Sequence, residues 1–199
     1  MTTTNTQFRR AVTSIGAGFG VVRREIAFID RGVDHGQVLH DGVPAGIAVA
    51  WIEPGRPALT QIAARLADGP PVGALHIVGH GEPAALLLAG ERIDGRMLVD
   101  RPSALAGIAR ALAADALVTL YSGSVAAGPI GRAFVDVLET GLGAAVAASD
   151  GPVGAMAEGG TWLLRDRNGI PVEPIFSPAA RAAFPALLGT DMTTDRAIG

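Results

Sequence analysis

From residue 25 onward the chain alternates two patterns: short uninterrupted apolar runs, and longer stretches whose apolar positions recur every three to four residues. EIAFID (25–30), GIAVAWI (46–52), ALHIVG (74–79), ALVTLY (116–121) and GAAVAAS (143–149) read as strands. Continuous apolarity marks a strand covered on both faces. Between them, PALTQIAARLA (57–67) sets Leu59, Ile62, Ala63 and Leu66 on one helical stripe. Pro57 suits its first turn, and Asp68-Gly69-Pro70-Pro71 ends it. The stretch 102–114 does the same with Leu105, Ile108, Ala109 and Leu112. A third helix, 129–141, carries Ile130, Phe134, Val137 and Leu138, with Gly141 as its C-cap. ALLLA (85–89), Gly90 and ERID (91–94) form a hairpin-like piece, and TWLLR (161–165) reads as an edge strand. Beyond it lie IPVEPIFSP, a helix expected around 178–188, and a polar tail.

This alternation predicts an α/β fold, a mostly parallel sheet flanked by helices and joined by right-handed crossovers. It divides the chain into a leader (1–24), an α/β domain (25–168) and a C-terminal extension (169–199). Composition narrows the picture. At 199 residues, 49% hydrophobic and 18% charged, the chain has the means to build one real core. With no Cys, it has no disulfide, thiolate metal site, iron–sulfur cluster or cysteine nucleophile. A net charge of -3 without a basic tract argues against a nucleic-acid surface. No apolar run reaches the ~18 residues of a membrane span. All 16 basic residues are Arg, which carries no functional reading by itself.

In the leader, Arg9 and Arg10 precede AVTSIGAGFGVV, similar to the charged and apolar parts of an export signal. Arg23 and Arg24 follow at once and no small-x-small cleavage site is evident, so a flexible leader is the preferred reading. Localisation is left between cytoplasmic and exported. Gly16, Gly18 and Gly20 precede the first strand, whereas a dinucleotide fingerprint must follow one.

Open α/β sheets bind ligands at the carboxyl ends of their strands. There the sequence offers Gly79-His80-Gly81-Glu82, then Tyr121-Ser122-Gly123-Ser124, then Ser149-Asp150-Gly151. A histidine between glycines facing two serines has the parts of a base beside a nucleophile, the glycines leaving room for substrate approach. The bland alternatives are a strand-capping His80 and serines that N-cap a helix starting near 125–130. Y-S-G-S-V lacks the G-x-S-x-G elbow. His76, in mid-strand, reads as a satisfied core histidine. His35 and His40 with Asp34 and Asp41 match no closed metal pattern and read as a solvated loop, so neither metal nor cofactor is expected.

ALHIVGHGEP followed by ALVTLYSGSVAAGPIGRAFVDVL resembles the caspase-like cysteine peptidase fold, where one apolar strand ends in His-Gly and a later one in Gly-Cys or Ala-Cys. More closely, IAFIDRGVDHGQVLHDGVPAGIAVAWIEPGRPALTQIAARLA, HIVGHG, LYSGSVAAGPIGRAFV and VAASDGPVGAMAEGGTWLL resemble a bacterial domain family of unknown function. That family is found near the N-termini of large adhesin-like and cadherin-repeat surface proteins. His80 matches it residue for residue, as do Asp150, Gly159, Gly160 and Trp162. The family commonly reads Tyr-Gly-Cys-Asp/Asn-Val-Ala where this chain has Tyr121-Ser122-Gly123-Ser124-Val125-Ala126. Gly123 therefore stands at the expected nucleophile position, and Gly79 replaces a frequent Ser.

The resemblance implies a peptidase-fold domain without its nucleophile, whose cleft binds a peptide or protein segment, with Gly81 and Asp150 as substrate-binding residues. Asp150 would shape a pocket for a basic side chain, or else form an Asx turn with Gly151 and Pro152. Two other readings stand beside it. In one, Ser122 or Ser124 replaces the thiol with His80 as base. In the other, the chain is an adhesin-type interaction module with no active cleft. The first is preferred because a hydroxyl needs a well-placed base and oxyanion hole, whereas a thiol is partly ionised near neutrality.

Overall fold

The computed structural model describes residues 23–189. In chain order, the first half comprises β1 (Arg24–Asp30), α1 (Gly36–Asp41), β2 (Ala48–Ile52), α2 (Ala58–Leu66) and β3 (Val72–Val78). Next come β4 (His80–Glu82), β5 (Ala85–Leu88), β6 (Glu91–Asp94), α3 (Gly95–Asp100), α4 (Pro102–Ala111) and β7 (Leu112–Tyr121). The chain continues with α5 (Gly128–Leu142), β8 (Ala145–Ala147), β9 (Leu164–Arg165), β10 (Pro171–Val172) and α6 (Pro178–Ala183). Five strands form one parallel sheet in the order β2-β1-β3-β7-β8. A three-stranded antiparallel sheet, β4-β5-β6, sits beyond the carboxyl end of β3.

Alternation along the strands assigns the two faces. Ile26, Phe28, Leu75, Ile77, Val118 and Leu120 join the apolar stripes of α2, α4 and α5 in one core, with Leu86, Leu88 and Ile93 of the small sheet. The three long helices thus cover a single face. Opposite them, Ile29, Val78, Leu117 and Tyr121 pack with Leu39 of α1, Ala180 of α6, and Trp162, Val172, Phe176, Phe184 and Leu188. Aromatic edges build this second core: Trp162 meets Phe176 at 5.4 Å and Phe184 at 5.6 Å between centroids, both T-shaped.

Within the second face, three polar side chains are mutually satisfied. The buried His76 ring bonds Glu25 Oε1 through Nε2 at 2.8 Å and Thr119 Oγ1 through Nδ1 at 2.6 Å. A core histidine is affordable here because both ring nitrogens have partners.

The structure departs from the sequence pattern in two elements. The helix expected over 102–114 stops at Ala111, because Leu112 opens β7 and pairs with Val72 before a bulge. The helix expected around 178–188 ends at Ala183. Phe184 is extended (φ -73°, ψ 118°), as befits a residue before proline, and Pro185 turns the chain away. TWLLR contributes only β9, which pairs antiparallel with β10, while Arg165 makes a lone antiparallel bridge to Ala148 beside β8. The leader, with its arginine pair and glycines, lies outside the described residues except for Arg23 and Arg24.

Candidate functional site

The strand order reverses direction between β1 and β3, the position where open α/β sheets hold their ligand crevice, outside the carboxyl ends of the strands. Asp30 closes β1 there. Its buried carboxylate accepts from the Gly32 N–H at 2.6 Å and from the Ala89 N–H, fastening the small sheet to the large one. Both oxygens are thereby engaged in holding loops.

Past β3, Gly79 donates to the Tyr121 carbonyl at 3.2 Å and leads into β4, where half-buried His80 lies opposite Leu87. The flanking glycines serve packing, a different role from the open substrate approach expected of them. A Cβ on Gly79 would collide with the Leu88 side chain. One on Gly81 would stand 2.7 Å from the Gly123 carbonyl oxygen and 2.9 Å from the Ser122 Cβ. The missing side chain at 81 is what lets β4 lie directly against the turn after β7.

In that turn, Tyr121 is fully buried and its hydroxyl accepts from the Ile175 N–H at 3.0 Å. Burial pushes its phenol pKa well up, so it stays neutral. Ser122 is fully buried and its hydroxyl has no partner. Ser124 adopts a left-handed conformation (φ 61°); its N–H donates to the Gly151 carbonyl and its carbonyl accepts from Ala127, both at 2.9 Å. Neither serine caps α5. The N-cap position is Ala127, without a side-chain bond, because the turn 124–127 intervenes before the helix begins. Among the described residues, no hydrogen bond joins His80 to either serine.

Asp150 is exposed, and the turn expected of it is made by its neighbour: Ser149 Oγ accepts from the Gly151 N–H at 3.2 Å. His40 is likewise engaged in a surface stack. Its ring stacks nearly parallel on Trp51 with centroids 5.3 Å apart and bonds Asp41 at 3.0 Å, while Arg31 sits over the indole at 4.0 Å.

What sequence reasoning missed is the segment that lies against the turns following β3, β7 and β8. After Pro185 the chain runs antiparallel to Val153–Ala155: Ala155 N–H donates to the Ala186 carbonyl at 2.9 Å and Leu188 N–H to the Val153 carbonyl at 2.7 Å. The Leu188 carbonyl then accepts from Gly123 N–H. His80 Nδ1 meets the Gly189 carbonyl at 3.2 Å, and since a carbonyl only accepts, Nδ1 carries the proton. Leu188 is fully buried, whereas Ala186, Leu187 and Gly189 are half-buried. A Cβ on Gly123 would stand 2.9 Å from the Leu188 carbonyl oxygen and 3.4 Å from its carbonyl carbon. Gly154, at φ 131°, is similarly bare where Ala186 crosses it. The signal available in the sequence was Pro185, which rules out helix for Phe184.

Residues 26–188 match the family described as Domain of unknown function (DUF4347). The chain belongs to that family. The match ends at Leu188, so that segment lies inside the shared domain up to this residue. No curated protein and no solved structure matches the chain.

Among the described residues, no group of three His, Asp or Glu side chains is placed to hold a metal, and no helix is long and apolar enough to cross a membrane. The crevice presents main-chain donors and acceptors, one histidine and a buried aliphatic seat. Such an arrangement can hold an extended peptide by its backbone.

Proposed function

We propose that this member of the family is a caspase-like pseudo-peptidase domain whose cleft binds an extended peptide or protein segment without cutting it. One observation carries the reading. At the position where the resemblance puts the nucleophile stands Gly123, and its N–H holds the main-chain carbonyl of Leu188. A backbone N–H that engages a carbonyl, at a position with no side-chain nucleophile of its own, supports binding without cleavage. Among the described residues the Ser122 hydroxyl has no hydrogen-bond partner and His80 bonds a main-chain carbonyl, which weighs against the serine-hydrolase alternative. The wider setting of the resemblance, within bacterial adhesin-like surface proteins, makes another protein's exposed segment a fitting partner.

The reading is tested by panning a random heptapeptide display library against the protein. Selected peptides are expected to shift the amide resonances of Gly81, Gly123 and Val153–Ala155, and to remain intact after long incubation. Fluorophosphonate labelling is expected to be absent. Labelling that disappears in Ser122→Ala or Ser124→Ala, or cleavage of the selected peptides, would overturn the proposal. So would binders whose shifts map entirely elsewhere.

A further inference from the structure

We infer that residues 186–189 are an exchangeable occupant of the cleft, and that its external ligand is a peptide held by its main chain and anchored by one buried aliphatic side chain in the seat that Leu188 fills. The inference rests on the peptide-binding reading above and names the chemistry of that ligand.

Three observations converge on it. The bonds that hold the segment all engage its main chain: Ala155 to Ala186, Leu188 to Val153, Gly123 to Leu188, and His80 Nδ1 to the Gly189 carbonyl. Such bonds carry no sequence requirement, so an extended peptide of another protein satisfies them equally. Side-chain discrimination is confined to one point, because Leu188 is fully buried in the second core while its neighbours Leu187 and Gly189 are only half-buried. The walls are bare where the segment passes. Gly123 and Gly154 would each drive a Cβ into its main chain, and Gly160 would drive one into the Leu187 side chain at 2.7 Å.

The segment also has a simple route out. It joins the body through Phe184, packed on Trp162, and Pro185, after the short helix α6. Release requires only the loss of the few main-chain bonds and the Leu188 seat, while the parallel sheet is left whole. Because the segment is tethered, its effective concentration is in the millimolar range, and a free peptide competes poorly until the tether is disarmed. A cleft built this way stays closed to weak ligands. It opens to a partner that offers a better anchor, or many weak contacts at once.

The experiment uses the full chain. Amide hydrogen exchange on the unmodified protein is expected to show Gly123, Ala155 and Leu188 exchanging at least about tenfold faster than the central amides of β3 and β7, as sub-global opening requires. In a second arm, Leu188→Asp releases the segment, and a fluorescent peptide copying residues 184–190 is added. It is expected to bind that variant at least about tenfold more tightly than the unmodified protein, the tether being the competitor. A control peptide carrying Asp at the anchor is expected to bind neither.

Exchange as slow as that of β3 and β7 would overturn the inference, showing that residues 186–189 are a permanent strand. This measurement needs no variant, so it decides even if Leu188→Asp fails to fold. A released segment with no binding of the copied peptide would equally overturn it. The wider peptide-binding reading would then stand or fall on the peptides selected by display.

Discussion

At residue scale, the site is defined by what Gly123 lacks. A side chain there meets the Leu188 carbonyl 2.9 Å away, and relieving that contact costs the main-chain bonds and the buried seat of Leu188. Gly123→Ala is therefore expected to lower unfolding free energy by ~1–3 kcal/mol, the range for forcing an added methyl into packed structure. Gly151→Ala, where a Cβ meets nothing within 4 Å, serves as the control and is expected to be near neutral. Denaturant unfolding monitored by the two tryptophans compares them. Tyr121 offers a second residue-level test. Tyr121→Phe leaves the Ile175 N–H without its acceptor, and the loss is expected to be about 1–3 kcal/mol in the same assay. His80 and its place after an apolar strand were legible in the sequence. The packing role of Gly79 and Gly81 was not, because it depends on Leu88 and Gly123, which other elements bring to them.

Among elements, legibility followed how local the deciding interaction is. The buried strands and the stripes of α2 and α5 are written in periodicity alone. The end of α4 depended on Val72, forty residues earlier in the chain and across the sheet, so the helical stripe ran past its true end. Segment 184–189 was misread for another reason: apolar spacing outweighed Pro185, although the proline's restriction on Phe184 is local. Helix α3, which the apolar pattern did not predict, begins on a side-chain cap. Asp94 accepts from the Met97 N–H at 2.9 Å, and this backbone bond, with Arg92 nearby, holds its carboxyl below the usual 3.8. A carboxyl depressed in the folded state stabilises above its unfolded pKa, and that contribution fades as pH falls through the folded value. The unmodified protein is thus expected to lose stability as pH drops below 3.8, and Asp94→Ala to show a shallower loss over that window. Thermal melts from pH 6 down to about 2.5 read the difference.

On the scale of the whole molecule, the sheet order β2-β1-β3-β7-β8 puts its reversal between β1 and β3, where such sheets hold their crevice. Asp30 braces it, His80 stands beside it, and the turn after β7 supplies its floor. Strand alternation was enough to anticipate an α/β fold with a parallel sheet, and the strand-end rule was enough to pick out residues 80 and 122–124. That the chain's own last described strand lies across them was not readable, because its ladder to Val153–Ala155 joins loops with no periodic signature.

A thiol at position 123 tests whether the floor there is a peptide seat filled by residues 186–189. The rate of alkylation by iodoacetamide is measured for Gly123→Cys alone and combined with Leu188→Asp. Covered by the Leu188 carbonyl, the single variant is expected to react slowly, the double variant at least about tenfold faster, and the copied peptide to restore protection. Equal rates in the two variants, with no protection by peptide, would contradict the claim.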